Sequence, residues 1–131
     1  MATAPPLTRD VVGLATLLAT SGSLHLVRPA LFEGMVPHVL PRRKALVYVS
    51  GVAEIACAAG MLHPSTRRAA GWASAALLVA VFPANVQMSV DHGRRAARRA
   101  DLPSRATFAA TLARLPLQWP LVRTALRAAG R

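Results

Sequence analysis

The sequence predicts an all-α fold, an integral membrane four-helix bundle, and three observations carry that expectation. Four apolar stretches occupy most of the 131 residues, charge is nearly confined to the gaps between them, and the first three approach the length of a membrane span. About 20 residues at ~1.5 Å rise cross a hydrocarbon core of ~30 Å. The expected spans are residues 11–27, 45–62, 69–88 and 108–127, in a single domain covering 1–131. Apolar residues make up 53% of the chain and mean hydropathy is +0.37, values only modestly above those of soluble domains. The segregation of charge decides the matter. No charge falls within 11–27 or 69–88, and Glu54 alone falls within 45–62. A soluble amphipathic helix would carry charge along its outer face at every turn.

Each element has a local reason. Span one follows Arg9 and Asp10. Arg9 and the apolar run after it have the form of a secretory signal, but Asp10 interrupts the flank and no clean A-x-A site follows, so the segment is expected to stay in the chain. Residues 28–44 hold Pro29, Pro37 and Pro41 among Leu31, Phe32, Met35 and Val36. That connector is too apolar for a free linker, and it is expected to lie at the interface or fold back on the bundle. His63-Pro64-Ser65-Thr66 reads as a tight turn in which Pro64 stops span two and Ser65 or Thr66 caps span three. Residues 91–105 are Arg-rich and read as a solvated helix extension at the level of the lipid head groups. Span four is the shortest apolar stretch, its run ending at Val122 unless it is extended past Arg123.

A net charge of +11, from fifteen Arg and one Lys against five acidic residues, raises nucleic acid as a partner. The basic residues, however, gather at segment ends, as in Arg42, Arg43 and Lys44, Arg67 and Arg68, and Arg94, Arg95, Arg98 and Arg99. Flanking charge of this kind anchors membrane helices on anionic lipid heads, whereas a nucleic-acid binder needs a basic face interleaved with aromatics. The expected partners are therefore membrane lipids, with no nucleic acid. The first and third connectors carry nine basic residues (Arg28, Arg42, Arg43, Lys44, Arg94, Arg95, Arg98, Arg99 and Arg105). The opposite side carries six (Arg9, Arg67, Arg68, Arg123, Arg127 and Arg131), a lean toward both termini outside. The single cysteine, Cys57, excludes dithiol–disulfide cycling within the chain and reads as a packing residue.

The residues that break the apolar rule are the candidate site. Glu54 sits near the middle of span two, where a lone charge costs roughly 2.5–3.5 kcal/mol on insertion scales, so it must face the bundle and find a partner. Arg114 lies two turns into span four with Gln118 one turn later on the same face; Asn85 follows Pro83 in span three; His25 ends span one. Chain direction puts His25, Asn85 and Arg114 in one half of the bilayer, with Glu54 and Gln118 near its middle. The expected arrangement is a Glu54–Arg114 ion pair with His25, Asn85, Ser50 and Tyr48 as hydrogen-bond partners. Ser50, Gly51, Cys57 and Ala58 share the face of Glu54, and small residues there let another helix approach. Pro83 and Pro116 free the carbonyls of Val79 and Leu112. This cluster reads first as structural glue, and alternatively as a ligand or proton site. No metal-ligand spacing, hydrolase signature or phosphate-binding glycine loop is present.

The same residues resemble a known family. Gly22-Ser23-Leu24-His25 with Pro29, Phe32, Met35-Val36-Pro37 and Leu40-Pro41 is similar to the first block of DoxX-like small membrane proteins. Residues 46–55, 81–88 and 114–118 resemble its later blocks, although Leu26 stands where an aromatic residue is expected. The resemblance implies a four-helix multi-pass protein of the bacterial cytoplasmic membrane. It also implies proximity to quinone and to membrane redox proteins. The function expected first is a non-enzymatic accessory or partner-binding membrane component; the alternative is a quinone- or lipid-binding subunit of a membrane redox complex.

Overall fold

The computed structural model describes residues 3–131, and among them all regular structure is α-helical. The helices are α1 (Arg9–Val27), α2 (Ala30–Glu33), α3 (Arg43–Leu62), α4 (Arg67–Arg99) and α5 (Leu102–Ala128). Five helices thus replace the expected four, because the apolar connector after α1 winds one turn of its own. Three of the long helices, α1, α3 and α4, are long and apolar enough to cross a membrane. Helix α5, the fourth expected span, falls short of that apolarity. Its 27 residues suffice in length, but Arg105, Arg114, Gln118 and Arg123 dilute its hydropathy.

Helix α1 buries Val11, Leu14, Ala15, Leu18 and Gly22, a stripe at helical spacing. Its opposite face is apolar as well: Val12, Leu17 and Leu24 are exposed. On α3 the buried stripe is Val47, Gly51, Glu54, Cys57, Ala58 and Met61, while Val49 and Val52 face outward. Helices apolar on both faces are suited to a membrane span or to burial within a larger apolar core. Helix α4 runs 33 residues, about 50 Å, and continues through Pro83. It ends at Ala100, whose φ of 53° is left-handed, and Asp101 then caps α5 by accepting a bond from the Ser104 backbone N–H at 2.8 Å. The Arg-rich connector is therefore mostly helix, with a two-residue break.

The long helices form a ring in which α1 packs on α3, α3 on α4, α4 on α5, and α5 returns to α1. The pairs α1–α3 and α4–α5 are the closest. Glycine makes the first pair possible. A Cβ on Gly22 would stand 2.6 Å from the Gly51 carbonyl oxygen, and one on Gly51 would stand 2.7 Å from His25 Cβ.

The apolar core occupies one half of the ring, where Val11, Leu14, Leu18, Met61, Ala70 and Ala125 pack together. At that end the turn after α3 departs from the expected capping. Thr66 precedes α4, but its hydroxyl donates back to the Gly60 carbonyl at 2.8 Å and makes no cap bond. Arg67, expected as a lipid-facing flank charge, is buried. Its guanidinium donates to the carbonyls of Met61 (2.8 Å), Leu62 (3.1 Å) and Pro5 (2.6 Å). It satisfies the open carbonyls at the end of α3 and ties the N-terminal segment to that end.

Candidate functional site

The other half of the ring is hollow. A cavity of about 370 Å³ lies between α1, α3 and α4, and the segment around α2 closes one side. Its wall is chiefly apolar, from Phe32, Met35, Val36, Leu40, Val47 and Val81. Polar groups reach it from four helices: Ser21 and His25 on α1, Ser50 and Glu54 on α3, Asn85 on α4 and Arg114 on α5. The structure thus brings five of the seven expected site residues to one cavity.

Pairing inside the cavity differs from the expected one. Among the described residues the close acid–base contacts are His25–Glu54 and Arg127–Asp10, and no salt bridge joins Glu54 to Arg114. The ring order explains this: α1 lies directly on α3, whereas α5 stands diagonally across from it. His25 Nδ1 lies 3.6 Å from Glu54 Oε2 and 2.6 Å from the Ser21 carbonyl oxygen. A carbonyl can only accept, so Nδ1 carries the proton. The imidazole stacks on Phe32 with ring centroids 3.8 Å apart and planes inclined by 17°. Helix α2 therefore holds the histidine from above while Ser21 fixes its tautomer. Glu54 Oε2 is buried without a hydrogen-bond partner.

Gln118 sits beside the cavity wall. Asn85 Nδ2 donates to Gln118 Oε1 at 3.4 Å, and Gln118 Nε2 donates to the Leu78 carbonyl. The proline break at Pro83 was expected to release the Val79 carbonyl; the oxygen that gains a side-chain donor is its neighbour at Leu78. Tyr48 stays outside. It is 37% exposed, and the Lys44 ammonium stands 5.9 Å from its ring centroid. Ser50 and Tyr48 are two residues apart on α3, so the helix that turns Ser50 inward turns Tyr48 away.

The sequence reading passed over Ser21 and Phe32 as site residues. Phe32 had a signal, since it belongs to the apolar cluster of a connector judged to fold back. Ser21 had none, being one small polar residue among several in span one; its backbone carbonyl holds His25 and its hydroxyl lies beside the Glu54 carboxyl.

Fold and site together define a class: an all-helical protein, three of its helices long and apolar enough for a membrane, with an apolar cavity beside a part-buried histidine and a buried glutamate. The chain matches, over residues 14–129, a family described as a domain of unknown function (DUF8561), and it belongs to that family. It is not a DoxX protein. The resemblance rested on short blocks of small, aliphatic and proline residues, which packing demands of many small helical chains. The ground it offered for quinone, redox partners and a bacterial cytoplasmic membrane goes with it. No curated protein and no solved structure matches the chain.

Proposed function

We propose that the chain is a multi-pass membrane protein that binds a small apolar molecule between its helices. One observation carries this reading: a cavity of about 370 Å³ with a chiefly apolar wall surrounds a buried carboxylate oxygen that no protein group satisfies. Sites for small ligands are of this kind, concave, largely apolar and marked by a few convergent polar groups. Structural glue would instead satisfy its own members, since a half-satisfied buried network destabilises more than an apolar one. The outward leucines and valines of α1, α3 and α4 supply the lipid-facing surface. Helix α5 crosses with them in this reading: it packs along α4, it is about 40 Å long, and Leu112, Leu117 and Trp119 face outward.

A second reading is that of an accessory protein without a ligand. The length of α4 favours it: about 50 Å of helix exceeds the ~30 Å core and carries the exposed Arg94, Arg95, Arg98 and Arg99 beyond it, toward lipid head groups or an acidic partner. The two readings separate by mass spectrometry of small molecules extracted from protein purified in mild detergent. A stoichiometric compound retained by the wild type and lost when Ala84→Leu fills the cavity supports the binding reading. Bulk membrane lipid alone, the same in both proteins, refutes it.

A further inference from the structure

Resting on the binding reading, the geometry points to the class of ligand: we infer that the cavity takes a neutral apolar molecule carrying a hydroxyl, whose O–H donates to Glu54 Oε2. The polar groups in the wall determine this by elimination. Glu54 Oε2 is buried and has no hydrogen-bond partner, and the protonated His25 Nδ1 stands 3.6 Å away, beyond hydrogen-bond length, its own bond going to Ser21. As a carboxylate, Glu54 presents Oε2 as an acceptor, and a buried acceptor asks for a donor. The donor comes from a guest, because the two protein donors nearest the carboxyl, the Ser21 hydroxyl and the Arg114 guanidinium, line the cavity without making a hydrogen bond to Oε2.

Charge then removes the alternatives. A cationic amine would donate to Glu54 but would share a low-dielectric cavity with Arg114. A carboxylate would suit Arg114 and meet Glu54 as a like charge. Either arrangement places two like charges where screening is weak. A neutral hydroxyl donates its proton to Oε2, and its lone pairs remain open to donors such as Arg114. An ether or hydrocarbon fills the space and leaves Oε2 unsatisfied, which is the penalty a site built to hydrogen-bond a hydroxyl imposes on analogues lacking it. The rest of the wall, Phe32, Met35, Val36, Leu40 and Val81, asks only for an apolar body.

The test is a matched set of probes on the full-length protein in mild detergent: β-naphthol, its methyl ether and β-naphthoate. Binding to wild type and to Glu54→Gln is measured by equilibrium dialysis and referred to the free probe, so that partition into micelles cancels between the two proteins. The expected result is naphthol bound at least about tenfold more tightly by wild type than by Glu54→Gln, since a hydrogen bond to a charged group is lost. The methyl ether is expected to bind weakly and equally to both. Should Glu54→Gln fail to fold, the preference for naphthol over its ether in wild type alone decides. Naphthoate binding tightest overturns the inference in favour of an anion held by Arg114. Naphthol and ether bound alike, and lost together in Ala84→Leu, overturn the hydroxyl while leaving the binding reading intact. No probe bound at all overturns both.

Discussion

The contact of α1 with α3 through Gly22 and Gly51 can be tested with a pair of one-carbon substitutions. In Gly51→Ala the new Cβ stands 2.7 Å from His25 Cβ, 2.9 Å from the Gly22 carbonyl oxygen and 3.4 Å from Leu26 Cδ2. Carbon atoms rest at about 3.5–4.0 Å, so α1 and α3 must part by about 1 Å where they cross. Forcing a methyl group into a packed interface costs about 1–3 kcal/mol. Alanine also returns about 1 kcal/mol of helix propensity, which makes the single variant ambiguous. Gly13→Ala resolves this, because Gly13 lies within α1, the partner helix, and its Cβ would meet nothing within 4 Å. The propensity gain is common to both variants, so their difference isolates the steric term of about 1–3 kcal/mol. On the scaling of globular domains that corresponds to roughly 3–15 °C between the two midpoints. Thermal unfolding in mild detergent, followed by far-ultraviolet circular dichroism, reads the difference, with Gly13→Ala above wild type and Gly51→Ala below it. Midpoints that coincide, or a Gly51→Ala protein more stable than Gly13→Ala, would refute the close approach. The same separation moves His25 away from Glu54, so Gly51→Ala should also weaken naphthol binding relative to Gly13→Ala.

Two further outcomes follow from the ends of the helices. Arg67→Met keeps most of the buried stem and leaves the Met61, Leu62 and Pro5 carbonyls without their donor. It should lower stability by about 1–3 kcal/mol in a denaturing-detergent titration and make the N-terminal segment cleavable by limited proteolysis; a protein as resistant as wild type would count against the tie. Asp101 is held below the usual carboxylate range by hydrogen bonding from Ser104, and it caps α5. A lowered folded-state value means its stabilisation is complete above the unfolded value of about 3.9 and is lost as pH falls through the folded one. Asp101→Ala should therefore melt below wild type at pH 6, with the gap closing as the solution is taken below about pH 4. A gap independent of pH would show that the carboxylate does not contribute through its charge.

The hollow half of the ring has a physical origin in the side chains that meet there. Toward the chain termini, Met61, Val11, Leu14 and Leu18 interlock with alanines of α4 and α5. Toward the first connector, α4 presents Ala80 and Ala84 around Pro83 where a larger residue would fill the space. The α2 segment closes the opening with Phe32 and Met35 without filling it. Deleting the Phe32 ring would leave His25 unstacked and the cavity open on that side.

Much of the architecture was legible in the chain because period and charge placement are local properties. The positions of α1, α3 and α4, their apolar outer faces, and the conflict posed by Glu54 all follow from which residues recur at helical spacing and where arginine stops. That His25, Asn85 and Arg114 fall in one half of the bundle with Glu54 near its middle was likewise legible from alternating chain direction, although the cavity they line was not. Which of them meet was not. A helix's own sequence states which face is buried but not which neighbour buries it. That neighbour is set by ring order and by how closely two backbones approach. Gly22 against Gly51 brings α1 onto α3 and gives Glu54 to His25, while α5, packed on α4 and diagonal to α3, keeps Arg114 from pairing with it and turns Gln118 toward Asn85 and the Leu78 carbonyl. The sequence by itself determined the helices and the polar residues they must shelter; only the tertiary structure decided their partners, because pairing depends on distances between segments that no local pattern encodes.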